Sequence, residues 1–298
     1  MYVLLGSSGQ ITSQLARILL DGGHPVRVIG RNREALAGLE AAGARIAVGD
    51  PADAAFLASA FADATAVYTM LPPCYQEPDM RVAQHRIGEA IAEALRRATG
   101  RRLVNLSSVG AELPHGTGPI EALHAQEQRL DAIGTVDLLH LRAGYFMENL
   151  LAAIPEIAAA GVISGMESPD APIPMVATAD IAQTVAHELV TPRHRGVLRL
   201  QAPRPVTLRE AARVIGSAIG KPDLQYLQAA PEETKRMLRA HGMSADAADQ
   251  LEALSRWLSS MSVESATAAP VAVQATTIEA FARERFAPAY ARGVTEGA

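Results

Sequence analysis

The sequence predicts an α/β fold, a doubly wound parallel sheet with a small, mostly helical C-terminal cap. Three observations predict it. Short continuous apolar runs alternate with helical stripes through the first 142 residues, as strands covered on both faces require. The first strand enters a glycine turn, Gly6-Ser7-Ser8-Gly9, that opens directly into a helix. After Arg142 the alternation gives way to helices separated by proline-containing loops. The first two features are those of a Rossmann-type domain.

Taken in order, strands are expected at 2–5, 26–29, 45–48, 65–70, 102–107 and 136–141. Between them run helices at 11–20, 34–42, 53–61, 80–99 and 120–133. The first helix places Ile11, Leu15, Ile18 and Leu19 on one stripe. Such a βαβ series packs most simply as a parallel sheet with helices on both faces. Beyond it, 146–160 reads as a helix interrupted by Pro155, 175–177 as a short strand and 179–190 as a helix. The run 196–201 returns to the sheet, and 207–219, 231–240 and 245–261 are helical, the last carrying Trp257. Residues 262–275 read as loop or extended chain. The segment 277–288 is a short amphipathic helix with Ile278, Phe281 and Phe286 for docking. The expected division is a core of 1–142 rejoined by 179–201. Residues 143–178 and 202–298 then form the cap, over the carboxyl ends of the strands and sharing the core.

Bulk properties narrow the function. A chain of 298 residues can bury a large core. Twenty-seven basic against 32 acidic residues give a net charge of -5, which argues against a direct nucleic-acid partner. The single cysteine, Cys74, excludes an internal disulfide and a cysteine-rich metal site. His115, His124 and His140 make no metal-ligand spacing, so no metal is expected. The start lacks a basic leader and no apolar run is long enough for a bilayer, so a cytoplasmic protein without a membrane partner is expected. It is expected as a monomer or homodimer.

The glycine turn carries the best-defined chemistry. Gly6 permits the tight turn and Gly9 lets backbone approach a pyrophosphate, with Ser8, Gln10 and Ile11 around the open helix start. Thr12 stands where a third glycine would allow close packing. Arg31, at the end of the second strand, matches a 2′-phosphate where an acid would meet a free ribose hydroxyl, which selects NADP(H). Arg33 either assists or faces water. Asp50 reaches the adenine amino group or caps the next helix. Met70, Leu71 and Pro72 border the adenosine ribose and the nicotinamide half.

The reacting end belongs over the strand ends. Asn105, Ser107, Ser108, Val109 and Gly110 fall there, with His124 on the following helix and Tyr145, Phe146 and Asn149 after the sixth strand. Ser107 or Ser108 donates to a substrate oxygen or satisfies loop backbone. His124 bonds the nicotinamide ribose, relays a proton or is structural. Tyr145 is the phenol placed to donate a proton, and Tyr145 and Phe146 either stack on an aromatic substrate or belong to the core. Trp257 reaches the pocket mouth or the core. Ser107, His124 and Tyr145 are thus the catalytic candidates, with Val109, Phe146, Asn149 and Trp257 facing substrate.

Gly6-Ser-Ser-Gly9-Gln-Ile, Leu106-Ser-Ser-Val-Gly-Ala111 and Leu141-Arg-Ala-Gly-Tyr-Phe-Met-Glu-Asn149 resemble the NmrA-like family of atypical short-chain dehydrogenases/reductases. The resemblance implies an extended Rossmann domain with a small substrate or partner domain. The family includes NADPH quinone reductases, triphenylmethane dye reductases, relatives of isoflavone reductase, and redox sensors that bind NAD(P) without turnover. It therefore implies an NADPH-dependent reductase acting on a small conjugated or carbonyl-type acceptor (quinone, enone, imine or ketone), aromatic or quinonoid. The alternative it leaves is a non-catalytic NADP-binding regulator acting through a protein partner. The Tyr-x-x-x-Lys pair of ordinary short-chain dehydrogenases is absent: His124 stands at the lysine position and Ile120 four residues before it. Ala143 replaces a proline common before the glycine of the last motif.

Overall fold

A computed structural model describes residues 1–6, 9–97, 101–263 and 271–296, and the side chains of all of these except 294–296. The apolar runs form β1 (Tyr2–Leu5), β2 (Val26–Gly30), β3 (Arg45–Val48), β4 (Ala66–Thr69), β5 (Arg102–Ser108) and β6 (Asp137–Ala143). Between them lie α1 (Gln10–Asp21), α2 (Arg33–Ala41), α3 (Ala54–Phe61), α4 (Met80–Arg96) and α5 (Ile120–Asp131). The later strands are β7 (Tyr145–Phe146), β8 (Val162–Gly165), β9 (Met175–Val176), β10 (Gly196–Gln201), β11 (Gln225–Gln228) and β12 (Val271–Val273). The later helices are α6 (Ile154–Ala160), α7 (Thr178–Val190), α8 (Leu208–Ala218), α9 (Pro231–Ala240), α10 (Ala245–Ser259), α11 (Ile278–Phe281) and α12 (Ala287–Glu296).

Eight strands make one sheet in the order β12-β10-β6-β5-β4-β1-β2-β3, parallel at every pairing. The order reverses between β1 and β4, so the loops after these strands part and leave a crevice at their carboxyl ends. Successive side chains of a strand point to opposite faces. Accordingly Leu4 of β1 packs with Leu15, Leu19, Val28 and Val185 on one face. Its neighbour Val3 packs with Phe61, Val67, Ile91 and Leu130 on the other. Among the described residues no helix is long and apolar enough to cross a membrane.

The structure departs from the sequence reading at several elements. Ile18 is 37% exposed and leaves the α1 stripe, because α1 is gripped by the sheet and α7 through Ile11, Thr12, Leu15, Ala16 and Leu19. Pro155 begins α6 instead of interrupting a helix, since proline suits a first turn, and Met147–Ala153 is a 3-10 segment. The cap holds small strands of its own, β8 pairing β11 and β7 pairing β9. Part of it packs with the sheet's core, through Phe146, Val176 and Ala272. Met147, Ile163, Met175, Ile215, Phe281 and Phe286 gather in a separate cluster, which Val109 joins from the loop after β5. Beyond Phe281 a π-helical turn, Ala282–Phe286, leads into α12, so this helical tail is longer than the composition of 277–288 indicates. Residues 98–100 and 264–270, the end of one expected helix and half of an expected loop, lie outside the described residues.

Candidate cofactor and substrate site

At the end of β1 the backbone makes the floor of a hollow of about 230 Å³. Gly6 has φ +155, and a Cβ there would run into the hydroxyl of Thr12, which is itself buried. Thr12 therefore fills the place of a third glycine by packing its hydroxyl over the first. Gly9 caps α1 without any side-chain acceptor, so the opening N–H groups of the helix face the hollow beside Gln10 and Ile11. Glu148, in the 3-10 segment, walls the same hollow. Its carboxylate accepts from Thr178 N at 2.9 Å and Thr178 Oγ1 at 2.6 Å, which pins the start of α7. Ser8 lies outside the described residues.

A second crevice of about 700 Å³ runs past the ends of β2, β3 and β4. Arg31, Asp50 and Pro72 line it, with Cys74 and Arg86. Asn32 caps α2 by accepting from Glu34 N at 2.8 Å, and so fixes the chain beside Arg31. Arg33 is engaged by Glu40 at 2.7 Å. Asp53, not Asp50, caps α3 through Ala55 N and Phe56 N, while one oxygen of Asp50 takes Ala52 N at 2.9 Å. Burial and the charge of Glu77 push the Cys74 thiol up, while the nearby Arg31 and Arg86 guanidinium groups pull it down.

The third cavity, about 350 Å³, is mainly apolar. Leu71, Val109, Phe146 and Trp257 supply much of its wall, and Ser107, Tyr145 and Asn149 its polar points. Met70, Leu106, Phe146 and Asn149 also wall the first hollow, while Pro73 and Tyr75 also wall the crevice beside Arg31. Tyr145 is placed by backbone: its N–H donates to Pro174 O at 2.8 Å, and a Cβ on Gly144 would collide with that same carbonyl. Burial pushes the Tyr145 phenol well above the ordinary tyrosine range, the charge of Glu167 adds to this, and the Asn149 amide pulls the other way. Gly110 has φ +96, and a Cβ there would stand 2.6 Å from the Trp257 indole. The glycine of Ser-Ser-Val-Gly thus seats the tryptophan of α10. That helix is stapled to the β4–α4 loop by Met80 N to Asp246 at 2.9 Å and Ser244 N to Tyr75 O at 2.9 Å.

Two of the catalytic candidates bond within the protein. Ser107 Oγ donates to Glu127 at 2.5 Å, and Arg142 binds the same carboxylate at 2.6 and 3.0 Å. A hydroxyl has one proton, so while it serves Glu127 Ser107 offers the cavity lone pairs and not a donor. Ser108 likewise spends its proton on Val109 O at 2.9 Å. His124 does not wall any of the three cavities. Its Nδ1 meets Ala111 O at 2.8 Å and its Nε2 meets the Gln128 amide at 2.9 Å, while Ile120 and Leu123 form the cavity wall on α5. Asn105 is buried and accepts from Thr69 Oγ1 at 3.1 Å. Its Nδ2 lies 3.2 Å from His140 Nδ1, which joins β4, β5 and β6.

Sequence reasoning missed Tyr75, Gln84, Arg86, Leu254, Leu258 and Met261 as wall residues. Gln84 left a signal: it interrupts the apolar stripe Met80, Ile87, Ile91 of α4 at helical spacing. The α10 residues left none, since nothing local says which face of a cap helix meets a cavity.

A parallel sheet whose order reverses over a glycine floor, an open helix start and a guanidinium after the second strand define a Rossmann-type protein. The floor that a Cβ would fill fits a dinucleotide pyrophosphate. The chain belongs to the NmrA-like family, whose model matches residues 2–282. Among curated proteins it is similar to an NAD(P)H azoreductase of Xenophilus azovorans, 24% identical over 255 residues that cover 85% of this chain and 86% of that one. Its structure resembles an NADPH-dependent quinone oxidoreductase of Escherichia coli complexed with NADPH. The TM-score is 0.76 at 22% identity, covering 96% of this chain and all of the other. A Citrobacter sp. triphenylmethane reductase complexed with NADP(H) gives 0.76 at 18% identity, covering 96% and 100%.

Proposed function

We propose that this protein is an NADPH-dependent reductase that passes hydride to a small conjugated or carbonyl-type acceptor held in the 350 Å³ cavity. The observation that carries this reading is adjacency. The glycine-floored hollow shares the wall residues Met70, Leu106, Phe146 and Asn149 with an apolar chamber that holds a protonated phenol. The reductases named above, of azo, quinone and triphenylmethane substrates, are similar over nearly the whole chain and support it.

NADPH, when bound, supplies the hydride. The chain's own residues position, exclude water and hold the proton. The α1 N–H groups beside Gly6, Gly9, Gln10 and Ile11 receive the pyrophosphate. Arg31, seconded by Arg86, receives the 2′-phosphate, and Asp50 and Pro72 border the adenine side. Ser107, with only lone pairs to offer, accepts from an N–H such as that of a carboxamide. Leu71, Val109, Phe146 and Trp257 exclude water around a planar substrate. Tyr145 stays protonated at neutral and moderately alkaline pH, so it acts as donor to the charge that develops on the acceptor. His124 is assigned to holding α5 against the loop after β5.

The test is Arg31→Asp, with the affinities for NADPH and NADH measured side by side. NADPH should weaken by about 100-fold, the scale of a lost and reversed charge-assisted phosphate pair, and NADH by less than about threefold. Equal losses would remove Arg31 from the phosphate. Tight NADPH binding without turnover across quinones, dyes, enones, imines and ketones would favour a redox sensor.

A further inference from the structure

The cavity wall contains a buried polar group without a partner, for which the reductase reading has no use. Gln84, on α4, is 4% exposed and stands in the wall of the 350 Å³ cavity. Its Nε2 donates to Pro72 O at 3.1 Å. A carbonyl can only accept, so this bond fixes which end of the amide is nitrogen. The oxygen Oε1 is then left with no partner. Buried side-chain atoms without partners occur elsewhere among the described residues, but Gln84 is the residue with one that walls this cavity. An orphaned acceptor is costly unless a ligand or a water brings it a proton. The β5 end of the same wall has a matching character, because Ser107 and Ser108 have both committed their protons to the protein.

We propose that Gln84 is a specificity-determining residue, whose amide oxygen selects substrates with an O–H or N–H donor on the ring, hydroxy- or amino-arenes over their alkylated counterparts. The proposal rests on the reductase reading only in taking this cavity as the substrate site. Leu71, Val109 and Trp257 hold the ring by area alone and discriminate weakly between analogues of similar shape. A buried acceptor discriminates strongly, since an analogue without the donor leaves it unpaired in the complex. Methylating the donor both removes the proton and sets a methyl group against Oε1.

The experiment is calorimetric titration of the NADP+-loaded protein with 1,5-dihydroxynaphthalene and with 1,5-dimethoxynaphthalene. The diol should bind about tenfold more tightly, the worth of one net hydrogen bond to a buried acceptor. Gln84→Leu keeps the bulk of the side chain and removes the oxygen. It should lower diol affinity by about the same factor and change diether affinity less than about twofold. Equal affinity of the wild-type protein for the two ligands, or no binding of either, overturns the proposal. So does an equal loss for both in the variant. If Gln84→Leu does not fold, the wild-type comparison decides alone. The titration reads binding without turnover, so the two readings fail separately. Selective diol binding, together with no NADPH oxidation across the quinones, dyes, enones, imines and ketones, removes the reductase reading, whereas quinone turnover without selectivity removes only this one.

Discussion

The hollow around Gly6 and the chamber around Tyr145 share four wall residues, yet they are made of different material. The floor of the hollow is made of backbone: a positive-φ glycine, the start of α1 with no side-chain cap and a threonine folded over the turn. The chamber is made of side chains gathered from α4, α5, β5, the segment after β6 and α10. A backbone site can be specified by a few adjacent residues, because the turn itself makes the geometry. A side-chain site depends on how distant helices dock. Phosphates are constant from one dinucleotide to the next, and acceptors are not, so the first material suits the fixed ligand and the second suits the variable one.

The sharpest break in that comparison should come from Gly6→Ala. A methyl group there meets both the unfavourable φ and the Thr12 hydroxyl, so the floor must shift where the pyrophosphate would rest. NADPH affinity measured by calorimetry should fall by about 100-fold or more, the scale of losing several N–H contacts to an anion. The double variant Gly6→Ala/Thr12→Gly should recover part of the loss, because it returns the space and leaves only the strain. Full retention of affinity in the single variant would mean that the floor does not carry the phosphates.

In the chamber a single side chain is expected to matter less. Tyr145→Phe keeps the ring and removes the donor. With a quinone, kcat should drop by about tenfold to a hundredfold, at or below the usual range for a general acid because a conjugated product spreads its charge. The pH profile sharpens this. Burial raises the phenol well above the ordinary tyrosine range, so its donor form persists where a free phenol would lose the proton. Wild-type kcat should therefore stay flat from pH 7 to about 10. An alkaline fall centred below pH 10 that disappears in Tyr145→Phe would show an ionised phenol at work, and the donor role would be lost.

The same contrast explains how much of the molecule could be read in advance. The strands β1 and β3 and the helix α9 fall where their residues predict, because alternation and turn chemistry are local. Arg31 and Asp50 line the crevice, and Gly6 and Gly9 the hollow, for the same reason. Tyr145 and Asn149 follow the end of β6 directly and could be placed over the sheet. Tyr75 and Met261 could not, because the staples from Asp246 and Ser244 that bring α10 over the β4–α4 loop leave no local pattern. Ser107 is harder to read, because its hydroxyl bonds a partner outside its own loop. Its direction is set by Glu127, twenty residues away, which Arg142 holds from the next strand. The family motif was legible as a string, while the structure divides its labour: Gly144 admits the Pro174 carbonyl, Glu148 pins α7 and Asn149 walls the cavity.

The smallest effect is expected at the residue that separates position in sequence from position in space. His124 stands where ordinary short-chain dehydrogenases keep a lysine, yet its ring belongs to neither half of the cleft. A carbonyl can only accept, so Nδ1 donates to Ala111 O and Nε2 is left to accept from Gln128. Nδ1 then ties α5 to the loop that carries Val109 and Gly110, while Nε2 bonds along α5 itself. His124→Ala should lower stability by about 1–2 kcal/mol, two ordinary hydrogen bonds, read as a few degrees in Tm. NADPH-dependent kcat and the NADPH affinity should change less than about threefold, the scale of a slight loosening of the Val109 loop. A loss of kcat beyond about tenfold with Tm unchanged would place the imidazole at the reacting atoms. The wall of the chamber on α5 would then have to be redrawn from Ile120 and Leu123 to include His124.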